Sequence, residues 1–114
     1  MILFRPRHKA MILNGTKTQT RRLWPHGKRV NVGSLQQART KMLDAKSCFA
    51  TLHIDRVWQE PLGKVSESDA KAEGYPSRDA YLHAFAEINR LSYAAAEPIT
   101  VWCVAFHVES VPTP

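Results

Sequence analysis

The chain has 114 residues, 44% hydrophobic and 23% charged, which suffices for one domain with a packed core that needs no disulfide or metal staples, and argues against a disordered chain. No apolar run reaches membrane-spanning length, and Met1-Ile2-Leu3-Phe4-Arg5-Pro6-Arg7 turns basic in the wrong order for a secretory signal. Cys48 and Cys103 stand far apart in apolar stretches, as free thiols in a reducing compartment do, so a cytoplasmic location is expected. The net charge of +6 is lopsided: residues 1–46 carry eleven Lys or Arg against the single acid Asp44, whereas residues 47–114 carry five basic and nine acidic residues. A basic half of +10 beside a half of −4 points to a polyanion partner, nucleic acid first, although an unpartnered solvated basic face has the same signature.

In chain order, Ile2–Phe4 reads as a short first strand. Pro6 opens a helix through Asn14, with Ala10, Ile12 and Leu13 as its buried positions and Gly15 as its C′ residue. Thr16–Leu23, rich in threonine, reads as a strand after a tight entry, and Trp24-Pro25-His26-Gly27-Lys28-Arg29 as a loop. Val30–Gly33 looks like a strand end and turn. Leu35–Met42 and Cys48–Trp58 read as longer strands joined near Asp44-Ala45-Lys46, the second alternating strictly. Ser66 caps a helix through Glu73, with Asp69 in a capping-box position and Gly74 ending it. Ser77 caps another, whose stripe is Tyr81, Leu82, Phe85 and Ile88. A last strand, about Ile99 to Val108, is apolar on both faces and so buried on both sides. The order implies a single α+β domain around a small mixed sheet or barrel.

No metal or cofactor is expected: the five histidines are scattered, neither cysteine has a neighbour at ligand spacing, and no phosphate-cradling glycine pattern occurs. The chemistry concentrates in Gly15-Thr16-Lys17-Thr18-Gln19-Thr20-Arg21-Arg22. Two adjacent arginines disfavour the Lys17 ammonium, and burial would do so further, leaving an amine fit to be a nucleophile or base. The alternative is that Lys17 merely complements the negative end of the preceding helix. Strict alternation puts Lys17, Gln19 and Arg21 on one face and Thr18, Thr20 and Arg22 on the other, so Lys17 works with Thr20 only from the turn before the strand. Glu73 ends a helix where a carboxylate meets the wrong end of the dipole, either a functional acid or an exposed residue at small cost. Trp24 offers either a stacking ring for a base or a packing contact, whereas Trp58 and Trp102 lie in strands and read as core.

Gly15-x-Lys17 with Arg22 five residues past the lysine resembles the signature of the ASCH domain, a relative of the PUA RNA-binding fold. The resemblance continues through the Ala10–Asn14 helix, the Arg29-Val30-Asn31-Val32-Gly33 turn, the Asp69-Ala70-Lys71-Ala72-Glu73-Gly74 segment and the closing strand. It implies a small PUA-like mixed β-barrel with helices at its rim and a cleft at the lysine motif. The family's bacterial amidohydrolases, which deacetylate N4-acetylcytidine, have a lysine, a threonine three residues later and a distant glutamate; the matching positions here are Lys17, Thr20 and Glu73. Many ASCH domains carry an acid where Thr20 stands. The long Trp24-to-Gly33 loop and the extra Arg21 depart from the pattern.

Three functions follow as expectations. The first is an RNA- or nucleoside-binding hydrolase that removes an acyl group from a modified cytidine, with Lys17, Thr20 and Glu73 catalytic. Arg5, Gly15, Thr18, Arg21, Arg22 and Trp24 would then bind substrate, and Arg22 or a backbone amide near Gly15 would stabilise the oxyanion. The second is a metal-independent ribonuclease using the same lysine and arginines. The third is a non-catalytic RNA-binding module.

Overall fold

A computed structural model describes residues 1–113. Five strands, β1 (Ile2–Leu3), β2 (Gln19–Arg22), β3 (Leu35–Arg39), β4 (Cys48–Pro61) and β5 (Thr100–Ser110), form one mixed sheet in the order β1-β3-β4-β5-β2. Only the β1–β3 pair is parallel; the other pairs are antiparallel. The sheet curls into a half-barrel accompanied by four helices, α1 (Lys9–Leu13), α2 (Glu67–Ala72), α3 (Arg78–Ile88) and α4 (Tyr93–Ala96). No helix among the described residues is long and apolar enough to cross a membrane.

The long central strands serve two apolar clusters. Val104 and Phe106 of β5 join Phe49, Leu52 and Ile54 of β4 with Ile2, Phe4 and Ile12 in one. Val101 and Cys103 of the same strand join Leu62, Leu82, Phe85 and Ala96 in the other. The strand is therefore covered on both faces, as its unbroken apolar run requires. Each fully buried Leu or Ile contributes about 1.5–3 kcal/mol of burial free energy.

Several boundaries shift. The first helix begins as a 3-10 turn at Pro6–His8 and leaves only five residues of α1, so it buries Ile12 alone, while Ala10 and Leu13 (42% exposed) face solvent. Ile88, at the end of α3, is likewise 45% exposed. The threonine-rich strand shrinks to Gln19–Arg22 and the next to Leu35–Arg39, whereas β4 runs on to Pro61 and Val30–Gly33 holds no strand. The alternation of β4 breaks at a bulge between Ile54 and Arg56, which leaves Asp55 without a partner residue in β5. The short α4, capped by Ser92 accepting from the Ala95 amide, has no counterpart in the sequence reading.

The serine caps form as read: Ser66 Oγ accepts from the Asp69 amide and Ser77 Oγ from the Ala80 amide. The Asp69 side chain does not return to Ser66, however. It faces β2 instead, where it accepts from Gln19 and Arg21. That diversion ties α2 to the strand carrying the lysine motif.

Candidate active site

Lys17 lies in the turn between α1 and β2, the placement under which it can share a site with Thr20. Its amide donates to the Met11 carbonyl at 2.9 Å, and the Thr18 amide donates to the Ala72 carbonyl at 2.8 Å, so the turn is pinned to both α1 and α2. Glu73 is the C-cap of α2. Gly74 follows with φ +97°, and a Cβ there would stand 3.0 Å from Met11 Cε. A left-handed glycine is what lets the chain reverse directly after the glutamate.

These two local structures bring Lys17 and Glu73 together out of water; each is 2% exposed. Lys17 Nζ donates to the Glu73 carbonyl oxygen at 2.6 Å and to its carboxylate Oε1 at 3.2 Å. Burial pushes the Lys17 pKa down, assisted by Arg22 and Arg21, against the opposing pull of Glu73.

Arg21 stands behind this pair with a fully buried guanidinium. Nη1 donates to Glu73 Oε2 at 2.9 Å and to Gln19 Oε1 at 2.9 Å, and Nη2 donates to Glu60 Oε1 at 2.8 Å and to Asp69 Oδ2 at 3.3 Å. Burial works against its charge, but Glu73 and Glu60 outweigh it and raise its pKa. Arg21 thus holds Glu73 in place while also bordering the cleft that Lys17 and Glu73 line.

Arg22 points the other way along β2. Its Nε donates to Thr20 Oγ1 at 2.9 Å and its Nη2 to the Leu3 carbonyl at 2.5 Å, with the guanidinium carbon 5.2 Å from the Phe4 ring centroid. One side chain therefore bridges β1 and β2, the two edge strands of the half-barrel. Burial lowers its pKa, with Glu73 opposing.

The cleft above these residues has a volume of about 320 Å³, and its lining includes Lys17, Thr20, Glu73, Arg22, Trp24 and Arg5. That size lies at the lower end of the roughly 300–1,000 Å³ usual for small-molecule pockets. Gly15 and Thr18 do not line it; they border a separate hollow on the other side of Lys17, and the Gly15 amide already donates to the Ile12 carbonyl. Trp24 is half-buried, packed on the first cluster while its ring also lines the cleft. Trp58 is also half-buried, between the guanidinium carbons of Arg56 at 4.2 Å and Arg21 at 5.8 Å.

Sequence reasoning missed His8, Tyr75, Tyr81 and Arg29, which also line the cleft. His8 is buried, its pKa lowered to about 4 by burial and by the cations Lys17, Arg7, Arg22 and Arg5, and its Nε2 has no hydrogen-bond partner among the described residues. Nothing in the order of the sequence pairs His8 with Tyr75, yet their rings meet edge to face at 5.8 Å. The histidines are not all scattered either: His53 and His107 stack across β4 and β5 beside Asp55.

Two solved structures share this architecture. A crystal structure of a protein from Enterococcus faecalis V583, of family-model DUF984, aligns with a TM-score of 0.71 and 21% identity, over 92% of this chain and 68% of that one. A crystal structure of an ASCH domain from Lactobacillus crispatus JV V101 aligns with a TM-score of 0.68 and 21% identity, over 88% of this chain and 69% of that one. No protein-family model matches the sequence, and no curated protein matches it. The chain has the α+β fold of the ASCH domain.

Proposed function

We propose that the chain is an ASCH-family amidohydrolase that removes an acyl group from the exocyclic nitrogen of a modified cytidine such as N4-acetylcytidine, free or within RNA. The observation that carries this reading is the buried Lys17–Glu73 contact at the floor of a nucleoside-sized cleft. Trp24, Tyr75 and Tyr81 give the cleft aromatic faces for a base, and among the described residues Glu73 is the one acid lining it, beside Arg5, Lys17, Arg21, Arg22 and Arg29.

Burial favours the neutral form of the Lys17 amine, and Glu73 Oε1, 3.2 Å away, is the acceptor that takes its proton in the reaction. The resulting amine takes a proton from water as the oxygen adds to the acyl carbon. Arg22 stabilises the charge that develops on the acyl oxygen, and Thr20, held by Arg22, fixes the orientation of the group. Glu73 then delivers its proton to the exocyclic nitrogen as the C–N bond breaks, releasing a carboxylic acid and the unmodified cytidine. Lysine ends as the ammonium and glutamate as the carboxylate, so the pair is restored.

A ribonuclease reading draws on the cations Arg5 and Arg29 at the same cleft, which suit a phosphodiester strand. Mass spectrometry of metal-free protein incubated with N4-acetylcytidine, and separately with a short mixed-sequence RNA, distinguishes the two. Release of cytidine supports the amidohydrolase. Intact nucleoside with cleaved RNA supports the ribonuclease, and two untouched substrates leave a binding module.

A further inference from the structure

On the exposed side of the β4–β5 ribbon, the direct cross-strand partners His53 and His107 stack with ring centroids 4.9 Å apart. The bulge after Ile54 releases Asp55 from the ladder, and its carboxylate turns onto both rings. Asp55 Oδ1 lies 2.9 Å from Nδ1 of His53 and 2.9 Å from Nδ1 of His107, and Oδ2 lies 2.9 Å from the latter. One ligand atom from each of the three residues falls within 4.8 Å of the others. Glu109, two residues along β5, places Oε2 3.6 Å from His107 Nε2, the ring nitrogen turned away from Asp55.

We infer that His53, Asp55 and His107 form a binding site for a divalent transition-metal ion of the zinc class. Two imidazoles and one carboxylate are the donor set such ions prefer over magnesium or calcium, which take oxygen ligands. Bonds of about 2.0–2.2 Å to nitrogen and oxygen put neighbouring ligands of a tetrahedral ion roughly 3.3 Å apart. The Nδ1-to-carboxylate distances of 2.9 Å need only a small spreading of side chains to reach that. An ion bound here takes the place of the Nδ1 protons: each neutral ring moves its proton to Nε2, and an imidazolium loses one to solvent. In His107 that Nε2–H faces Glu109, reproducing the carboxylate–histidine–metal arrangement that fixes the tautomer in metal sites. Solvent supplies the remaining ligand, since all three side chains are at least one-third exposed.

The site is separate from the cleft and independent of its chemistry. The test is titration of tag-free protein carrying Cys48→Ser, to remove the accessible thiol, with Co2+, followed by its visible d–d absorption. Saturable binding of one ion per chain is expected. His107→Ala and His53→Ala should each abolish it, and Glu109→Gln should weaken it by about tenfold or more. A parallel rise in the melting temperature with Zn2+ should vanish in the same histidine variants, because an ion bound only by the folded ribbon stabilises it. Absence of saturable cobalt binding, or binding and melting shifts unchanged in both histidine variants, would overturn the assignment.

Discussion

Lys17 and Glu73 are fifty-six residues apart in sequence, yet the lysine amine donates to both the backbone carbonyl and the carboxylate of the glutamate. The first contact fixes where the amine sits, and the second gives its proton somewhere to go. Arginine at position 17 would keep the charge but cannot release a proton. Lys17→Arg is therefore expected to lower cytidine release by at least about a hundredfold. Wild-type turnover should rise with pH through a range below that of an ordinary lysine, in keeping with the direction in which burial moves Lys17. Steady-state rates across a pH series check both points.

Arg21 holds Glu73 from behind while engaging Glu60 and Asp69. Arg21→Met would leave Glu73 facing Lys17 alone in a buried setting, a loss of the kind that costs about 3–5 kcal/mol. Urea unfolding of the variant measures it. Arg21→Lys, which keeps the charge but cannot reach three carboxylates at once, should recover stability only in part and leave kcat depressed with KM little changed. An unaltered unfolding midpoint in Arg21→Met would refute the locking role.

His8 gives the fold a pH dependence of definite sign. Its pKa is about 4 when folded against 6.5 for the free side chain, so the unfolded chain binds the proton first as pH falls. The neutral ring's contribution is fully present above about pH 6.5 and is lost progressively toward pH 4, amounting to about 3 kcal/mol. Comparing His8→Asn with the wild type by denaturation across that window isolates it from the carboxylates, whose titration both proteins share. Identical slopes would remove His8 as the cause.

Trp24 should contribute to binding through stacking. Trp24→Ala is expected to weaken the nucleoside complex by about 1–3 kcal/mol, whereas Trp24→Phe retains most of the affinity. Because the ring also packs on the core, thermal melting of both variants must accompany the calorimetric titration. If RNA rather than the free nucleoside is the ligand, Arg5→Ala combined with Arg29→Ala should also flatten the salt dependence of binding by nearly two charges. An unchanged salt slope would confine the substrate to the nucleoside.

What the sequence made legible was local. Serine caps, the glycine after Glu73 and the two-sided last strand all follow from short-range rules, and each formed where those rules put it. Alternation along β2 was also informative: Gln19 and Arg21 both reach the α2 segment, while Thr20 and Arg22 pair on the opposite face; Lys17 escapes it because it lies in the turn before the strand. It could not say that Arg21 would be buried among three acids, because Glu60, Asp69 and Glu73 arrive from elsewhere in the chain. Nor could strict alternation reveal the bulge that turns Asp55 onto two histidines fifty-four residues apart. Burial of Leu13 and Ile88 failed for a different reason: both sit at helix ends, where the apolar stripe runs out past the core.

The most direct test of the Lys17–Glu73 mechanism is the steady-state hydrolysis of N4-acetylcytidine by wild-type protein and by Glu73→Gln, which keeps the shape of the side chain and removes its proton. The expected result is a kcat lowered by about 10²–10⁴-fold at nearly constant KM, since the proton is delivered in the transition state and not on binding. Undiminished kcat in Glu73→Gln, or no cytidine released by the wild type, would contradict it.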